Sequence, residues 1–201
     1  LLSGSQAGTD DLSRRHTAGP SDPASAHRAA WLPRIWGVAV VYSLALLWAN
    51  YQTGFHVGLN DFWGNHYEAE VLDFSNPETL YDGFFPIGYP LLLRAFPSDD
   101  MIAAGFLIAA AARVVFLGLF GSIMLALVSG PWALVSMIAL ALIPRMFQHV
   151  LTPTADIPML VFLTPGIALL VAAVLADVPT RRRVAGIVVA GALLGFAGML
   201  R

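Results

Sequence analysis

Between Ile35 and Asn60 the chain carries no Asp, Glu, Lys or Arg, and Ile35–Trp48 is almost wholly apolar. That length of uncharged chain predicts a first membrane-crossing helix at about 33–51, with Trp31, Trp36, Trp48 and Tyr51 placed near its ends where amphipathic rings favour the headgroup level. The pattern returns after Asp100. Residues 114–144 are free of charge, a run of 31 that exceeds one untilted crossing of a ~30 Å hydrocarbon core. Ser129-Gly130-Pro131 is the natural break, because Gly permits the turn and Pro cannot continue the helical hydrogen bonding. The half before that break is too short to cross alone, so the second helix must begin upstream and contain Arg113. Helices are expected at about 105–128, 132–150, 157–176 and 184–200, separated by the polar interval Pro153–Asp156 and by Asp177–Arg183.

The expected fold is therefore all-α, a multi-pass transmembrane bundle of about five helices. Composition agrees: 57% of residues are hydrophobic against roughly 45–50% in soluble domains, 12% are charged, and mean hydropathy is +0.70. A disordered chain, a basic nucleic-acid-binding domain and an ordinary cytosolic enzyme are excluded, and no nucleic acid is expected as a partner. With no cysteine there is neither a disulfide framework nor a thiolate nucleophile. A soluble helical bundle is the other reading of such runs, and their recurrence argues against it.

Residues 1–30 are small and polar without apolar periodicity, and are expected to form a disordered cytoplasmic tail rather than a signal peptide. Residues 31–201 form the membrane domain. Orientation follows from charge. Arg14, Arg15, Arg28 and Arg34 precede the first helix and Arg181–Arg183 follow the fourth, and the positive-inside rule puts both groups in the cytoplasm. Four crossings between them satisfy the rule. The loop 52–100, the Thr152–Asp156 interval and Arg201 then face the non-cytoplasmic side. That first loop holds eight acidic residues against the single Arg94, together with Pro77, Pro86, Pro90 and Pro97, and is expected to carry short interfacial helices.

Candidate chemistry concentrates there. Asn60 or Asp61 suits a helix N-cap, and Asp61, Asn65 and Glu68 share one helical face by spacing, as do His66 and Glu70. Such a face suits a general base or a metal ligand, and equally a capped surface helix. In Phe84-Phe85-Pro86-Ile87-Gly88-Tyr89-Pro90, two prolines restrict the backbone on either side of Gly88 and Tyr89. Asp156 favourably meets the positive end of the fourth helix. Arg113 within a crossing is costly, ~2.5–3.5 kcal/mol at the centre on insertion scales, and is relieved by facing the bundle and an anion or by reaching lipid phosphate. Arg145 and Arg201 are milder cases.

In order along the chain, Asp61, His66-Tyr67-Glu68-Ala69, Thr79-Leu80-Tyr81, Phe85-Pro86-Ile87-Gly88-Tyr89-Pro90, Ala112-Arg113, Leu142-Ile143-Pro144 and Leu151–Pro158 form a pattern. With the closing Gly195–Arg201, it resembles the amino-terminal part of the GT-C membrane glycosyltransferases. These are the dolichyl-phosphate-mannose protein mannosyltransferases and their bacterial relatives that use polyprenyl-phosphate sugars. The likeness covers about residues 33–201, as a series of weak motifs in the right order.

The resemblance implies a glycosyltransferase (hexosyl- or pentosyltransferase) with Asp61 as general base. It implies Asp156 in substrate positioning or metal contact, and Arg201 and Arg113 as holders of the lipid-linked phosphate, with His66, Tyr67 and Tyr89 as further substrate contacts. Where many members carry Asp-Glu in the first loop, this chain has Asp61-Phe62, so a metal site based on that pair loses a ligand; a divalent metal is the one cofactor left open. The implied partners are a polyprenyl-phosphate-linked sugar donor, membrane lipid, and a glycan, lipid or protein acceptor. The implied location is a bacterial plasma membrane with the amino terminus cytoplasmic. Family members are two to three times longer, so the chain is expected to be an amino-terminal portion, inactive if alone. The rival class is a non-catalytic lipid-headgroup transporter, flippase or assembly subunit.

Overall fold

The computed structural model describes residues 23–55, 60–73, 75–76, 86–96, 100–144, 153–175 and 179–200; of these, the side chains of residues 23–25, 60 and 61 are not described. Seven helices and no strand occur among the described residues: α1 Pro23–Thr53, α2 Asn60–Val71, α3 Gly88–Ala95, α4 Met101–Leu127, α5 Gly130–Ala141, α6 Asp156–Leu175 and α7 Thr180–Leu200. Four stretches, Ala26–Thr53, Met101–Leu127, Asp156–Leu175 and Thr180–Leu200, are long and apolar enough to cross a membrane. The all-helical expectation holds, as do the helical break at Ser129-Gly130-Pro131 and the short helices between the first two long ones.

Two boundaries are corrected. The tail expected over residues 1–30 gives way to helix at Pro23, and residues 1–22 lie outside the described part. Ala24, Ala26, Ala29 and Ala30 explain the difference, because small residues that lack apolar periodicity still include the strongest helix former. Pro33 sits inside α1 without ending it. The helix expected over 132–150 stops at Ala141, with a turn at Leu142 and Ile143. Pro144 is the reason: it has no amide hydrogen and restricts the residue before it. Twelve residues of helix rise about 18 Å, well short of a ~30 Å core. Residues 145–150 lie outside the described part.

The α4 helix is the axis of the bundle. Gly118 allows α1 to lie against it: a Cβ there would meet the Trp36 ring at 2.6 Å. Ile35, Ala39, Phe116, Leu117, Leu125, Ala133 and Met137 fill the space between α1, α4 and α5. The hydroxyl of Tyr42 donates to the carbonyl of Ala141 at 2.9 Å and so satisfies an acceptor at the end of α5. The α6 and α7 helices run antiparallel, with Gly186 facing Ala173 and Gly166 facing Leu194. Asp100 caps α4, accepting from the amides of Ile102 and Ala103 at 3.0 Å each. Asp100→Ala is expected to cost about 0.5–2 kcal/mol, read as a lower Tm in detergent.

This packing separates charge along the bundle axis. Glu68, Glu70, Asp73, Asp100 and Asp156 all belong to the end formed by α2, α3 and the starts of α4 and α6. Arg28, Arg34 and Arg181–Arg183 belong to the opposite end, formed by the starts of α1, α5 and α7. There the Arg34 guanidinium lies 4.7 Å from the centre of the Trp31 ring, which packs on Gly130. Among the described residues only Arg94 and Arg113 depart from this division.

Candidate functional site

The α2 helix carries its chemistry on one face. Phe62, Asn65, Glu68, Ala69 and Leu72 are buried, at the spacing of successive turns, while Trp63, Tyr67, Glu70 and Val71 are exposed. Burying Asn65 and Glu68 is costly unless they are satisfied, and both have polar partners. Position 61 is in the first turn of α2, one turn before Asn65 in helical register; the Asp61 side chain lies outside the described part.

What α2 packs on determines the site. Its Phe62 ring seats on the first turns of α4 at Gly105, where a Cβ would meet Phe62 Cε2 at 2.7 Å and Pro153 Cβ at 3.1 Å. The residue after Asp61 and a residue three before Asp156 thus press on the same glycine. Phe62, Tyr89, Leu93, Ile108 and Leu200 form one apolar cluster, with Ala155, Met159 and Phe196 against it. The start of α3 meets the end of α7 even more closely, since a Cβ on Gly88 would lie 2.5 Å from the Met199 carbonyl oxygen. The starts of α2, α3, α4 and α6 and the end of α7 therefore converge at the acidic end.

The seven candidate positions separate accordingly. Asp156 is the first residue of α6, partly exposed and in polar contact, where a carboxylate complements the positive helix end. His66 is half-buried, its Nδ1 3.6 Å from the exposed Glu70 carboxylate, its ring beside Phe62 and Trp63. Tyr67 is 63% exposed and turns away from the buried face of α2. Tyr89 is completely buried and forms part of the apolar floor, its hydroxyl without a hydrogen-bond partner. Burial raises the Tyr89 phenol well above its ordinary pKa, so it stays neutral. Arg201 lies outside the described part and follows directly on the buried Leu200 of the cluster. Arg113 is not brought there: twelve residues beyond Met101, it sits about 18 Å down α4.

Glu68 is the addition. Its spacing from Asp61 and Asn65 was visible in the sequence, but only the packing of α2 shows that this carboxylate is 7% exposed while Glu70 faces out. Asp73, just past α2, is different: fully exposed, its carboxyl is held below the ordinary value by the hydroxyl and amide of Ser75. Arg94 closes the α2–α3 junction by donating to the carbonyl oxygens of Leu72 and Ala69. Among the described residues no three His, Asp or Glu side chains group as metal ligands, and His66 with Glu70 supplies only two.

Comparison of the chain with protein-family models, curated proteins and solved structures finds no match.

Proposed function

We propose that the acidic end is the active site of a membrane glycosyltransferase that takes its sugar from a polyprenyl phosphate. One observation supports this reading above the others: α2, with Asp61 in its first turn, packs on the residues that lead into Asp156, beside the end of α7 that precedes Arg201. The start of α2, the lead into Asp156 and the last described turn of α7 thereby meet at one end of an apolar bundle, where a lipid-borne phosphate and its sugar would reside.

In the reaction, the acceptor hydroxyl oxygen attacks the anomeric carbon as the bond from that carbon to the phosphate oxygen breaks. The Asp61 carboxylate takes the hydroxyl proton, and the polyprenyl phosphate leaves with the bonding electrons. Positive charge at Arg201 stabilises the departing phosphate, whose charge grows in the transition state. Attack from the face opposite the leaving group inverts the anomeric centre, as the resemblance implies. Asp156 and the half-buried His66 orient the sugar. Tyr67, outside the buried face, contacts the acceptor or lipid surface, and Tyr89 holds the floor.

The separation of charge supports an orientation with the five-arginine end in the cytoplasm and the acidic end outside. We place the protein in a bacterial plasma membrane, acting on a glycan, lipid or protein acceptor at its outer face.

The test is incubation of the purified full-length protein with a series of polyprenyl-phosphate sugars, following release of polyprenyl phosphate by mass spectrometry. Release coupled to glycosylation of an acceptor is the expected result. Movement of intact donor across a vesicle bilayer, with no cleavage of any donor in the series, would overturn the proposal in favour of a carrier.

A further inference from the structure

Arg113 is left unused by this chemistry, and its surroundings are unusual. The side chain is 4% exposed, its Nε has no hydrogen-bond partner, and it makes no ion pair within 4.0 Å among the described residues. Arginine keeps its charge in proteins, and an uncompensated buried charge is among the most costly features a structure can hold. Ser43 repeats the anomaly, with a side chain 0% exposed and an Oγ also without a partner.

The two belong together. The α1 and α4 helices run antiparallel, with Ile35 against Gly121 and Trp36 against Gly118. Two turns further along α1 and back along α4, positions 42 and 43 come level with position 113. Tyr42 is an ionisable neighbour of Arg113, and its hydroxyl donates to the carbonyl of Ala141 without making a hydrogen bond to Arg113 Nε. Along this α1–α4 contact two buried donors are left without a hydrogen-bond partner, Nε–H of Arg113 and Oγ–H of Ser43, within the stretches long and apolar enough to cross a membrane.

We infer that Arg113 and Ser43 form an internal binding site for one small monovalent anion of halide size, in the seam between α1 and α4. The ligand must accept hydrogen bonds, since Nε–H can only donate. It must be charged, since a neutral water leaves the guanidinium uncompensated. It does not come from a described carboxylate, because those lie at the acidic end, about 18 Å away along α4. A doubly charged phosphate group is disfavoured: desolvation cost rises with the square of charge, and the seam is walled by Ala39 and Leu117. The site is independent of the glycosyltransferase proposal.

The experiment is thermal unfolding of the full-length protein in detergent at fixed ionic strength, in sodium gluconate, chloride or bromide, for wild type, Ser43→Ala and Arg113→Met. The expected result is a Tm several degrees higher in halide than in gluconate for wild type. The shift should be smaller in Ser43→Ala and absent in Arg113→Met. Equal Tm values for wild type in all three salts, or a halide shift retained in Arg113→Met, would overturn it. Should Arg113→Met not fold, anomalous scattering from crystals of the wild-type protein in bromide decides. A bromide within hydrogen-bond reach of Arg113 Nε supports the site, and density for water alone refutes it.

Discussion

Asp61→Asn in the full-length protein is expected to slow sugar transfer by about 10²–10⁴-fold, the usual contribution of a positioned base. The amide is nearly isosteric and its oxygen can still accept hydrogen bonds at a helix start, but it cannot take the acceptor proton. What it gives up structurally is the favourable meeting of a carboxylate with the positive start of a helix, about 0.3–1 kcal/mol. Activity and stability are therefore expected to part: transfer collapses while Tm moves little and donor binding persists. Single-turnover transfer, thermal unfolding and equilibrium donor binding on the same preparation check all three. If the variant transfers sugar at the wild-type rate, Asp61 is only a helix-terminal residue. Glu68, the buried carboxylate on the same face of α2, is then the next group to replace.

Gly88→Ala is expected to produce the largest loss of stability among the single-methyl changes at the acidic end. The added Cβ would stand 2.5 Å from the Met199 carbonyl oxygen and 2.8 Å from its carbonyl carbon. Both are backbone atoms of α7, so no side-chain rotation relieves the clash; α3 must withdraw from α7 as a unit. Overpacking of this kind costs about 1–3 kcal/mol. Gly191→Ala in the same helix pair is the control: nothing lies within 4 Å of the new methyl, and helix propensity favours Ala by ~1 kcal/mol. The paired measurement is Tm in detergent, lower for Gly88→Ala and equal or higher for Gly191→Ala. Because α3 and the end of α7 both border the proposed site, Gly88→Ala should also weaken transfer, by shifting the end of α7 that leads into residue 201 rather than by loss of a reacting group. Equal Tm values for the two variants would remove the α3–α7 contact from the account.

Much of the fold was legible because bilayer thickness is a ruler. An uncharged run of 31 residues cannot be one straight crossing, and Ser129-Gly130-Pro131 divides it where α4 ends and α5 begins. Charge was equally readable, since the separation of arginines from carboxylates along the chain becomes a separation along the bundle. The ruler failed where composition and backbone geometry compete. Alanine in the polar segment before Trp31 extends α1 back to Pro23, and Pro144 cuts short a helix that hydropathy alone would continue.

The site was readable as residue types, and only partly as geometry. Spacing placed Asn65 and Glu68 with Asp61 on one face, yet no pattern in the sequence says which face of α2 is buried. That depends on Phe62 finding Gly105, forty-odd residues away. Tyr89 looked like a contact residue between two prolines and proves to be core. Arg113 was grouped with Arg201 as a holder of phosphate, and the start of α4 at Met101 sets it about 18 Å along the helix from the acidic end.

The most direct test of a lipid-linked sugar at the acidic end is photo-crosslinking. The full-length protein would be labelled with a polyprenyl-phosphate sugar carrying a diazirine on its headgroup, and the modified peptides mapped. Labels are expected within residues 60–72, 86–96 and 153–159, suppressed by excess unlabelled donor. Labels confined to the arginine-rich end near Arg28, Arg34 and Arg181–Arg183, or labels that excess donor does not displace, would contradict it.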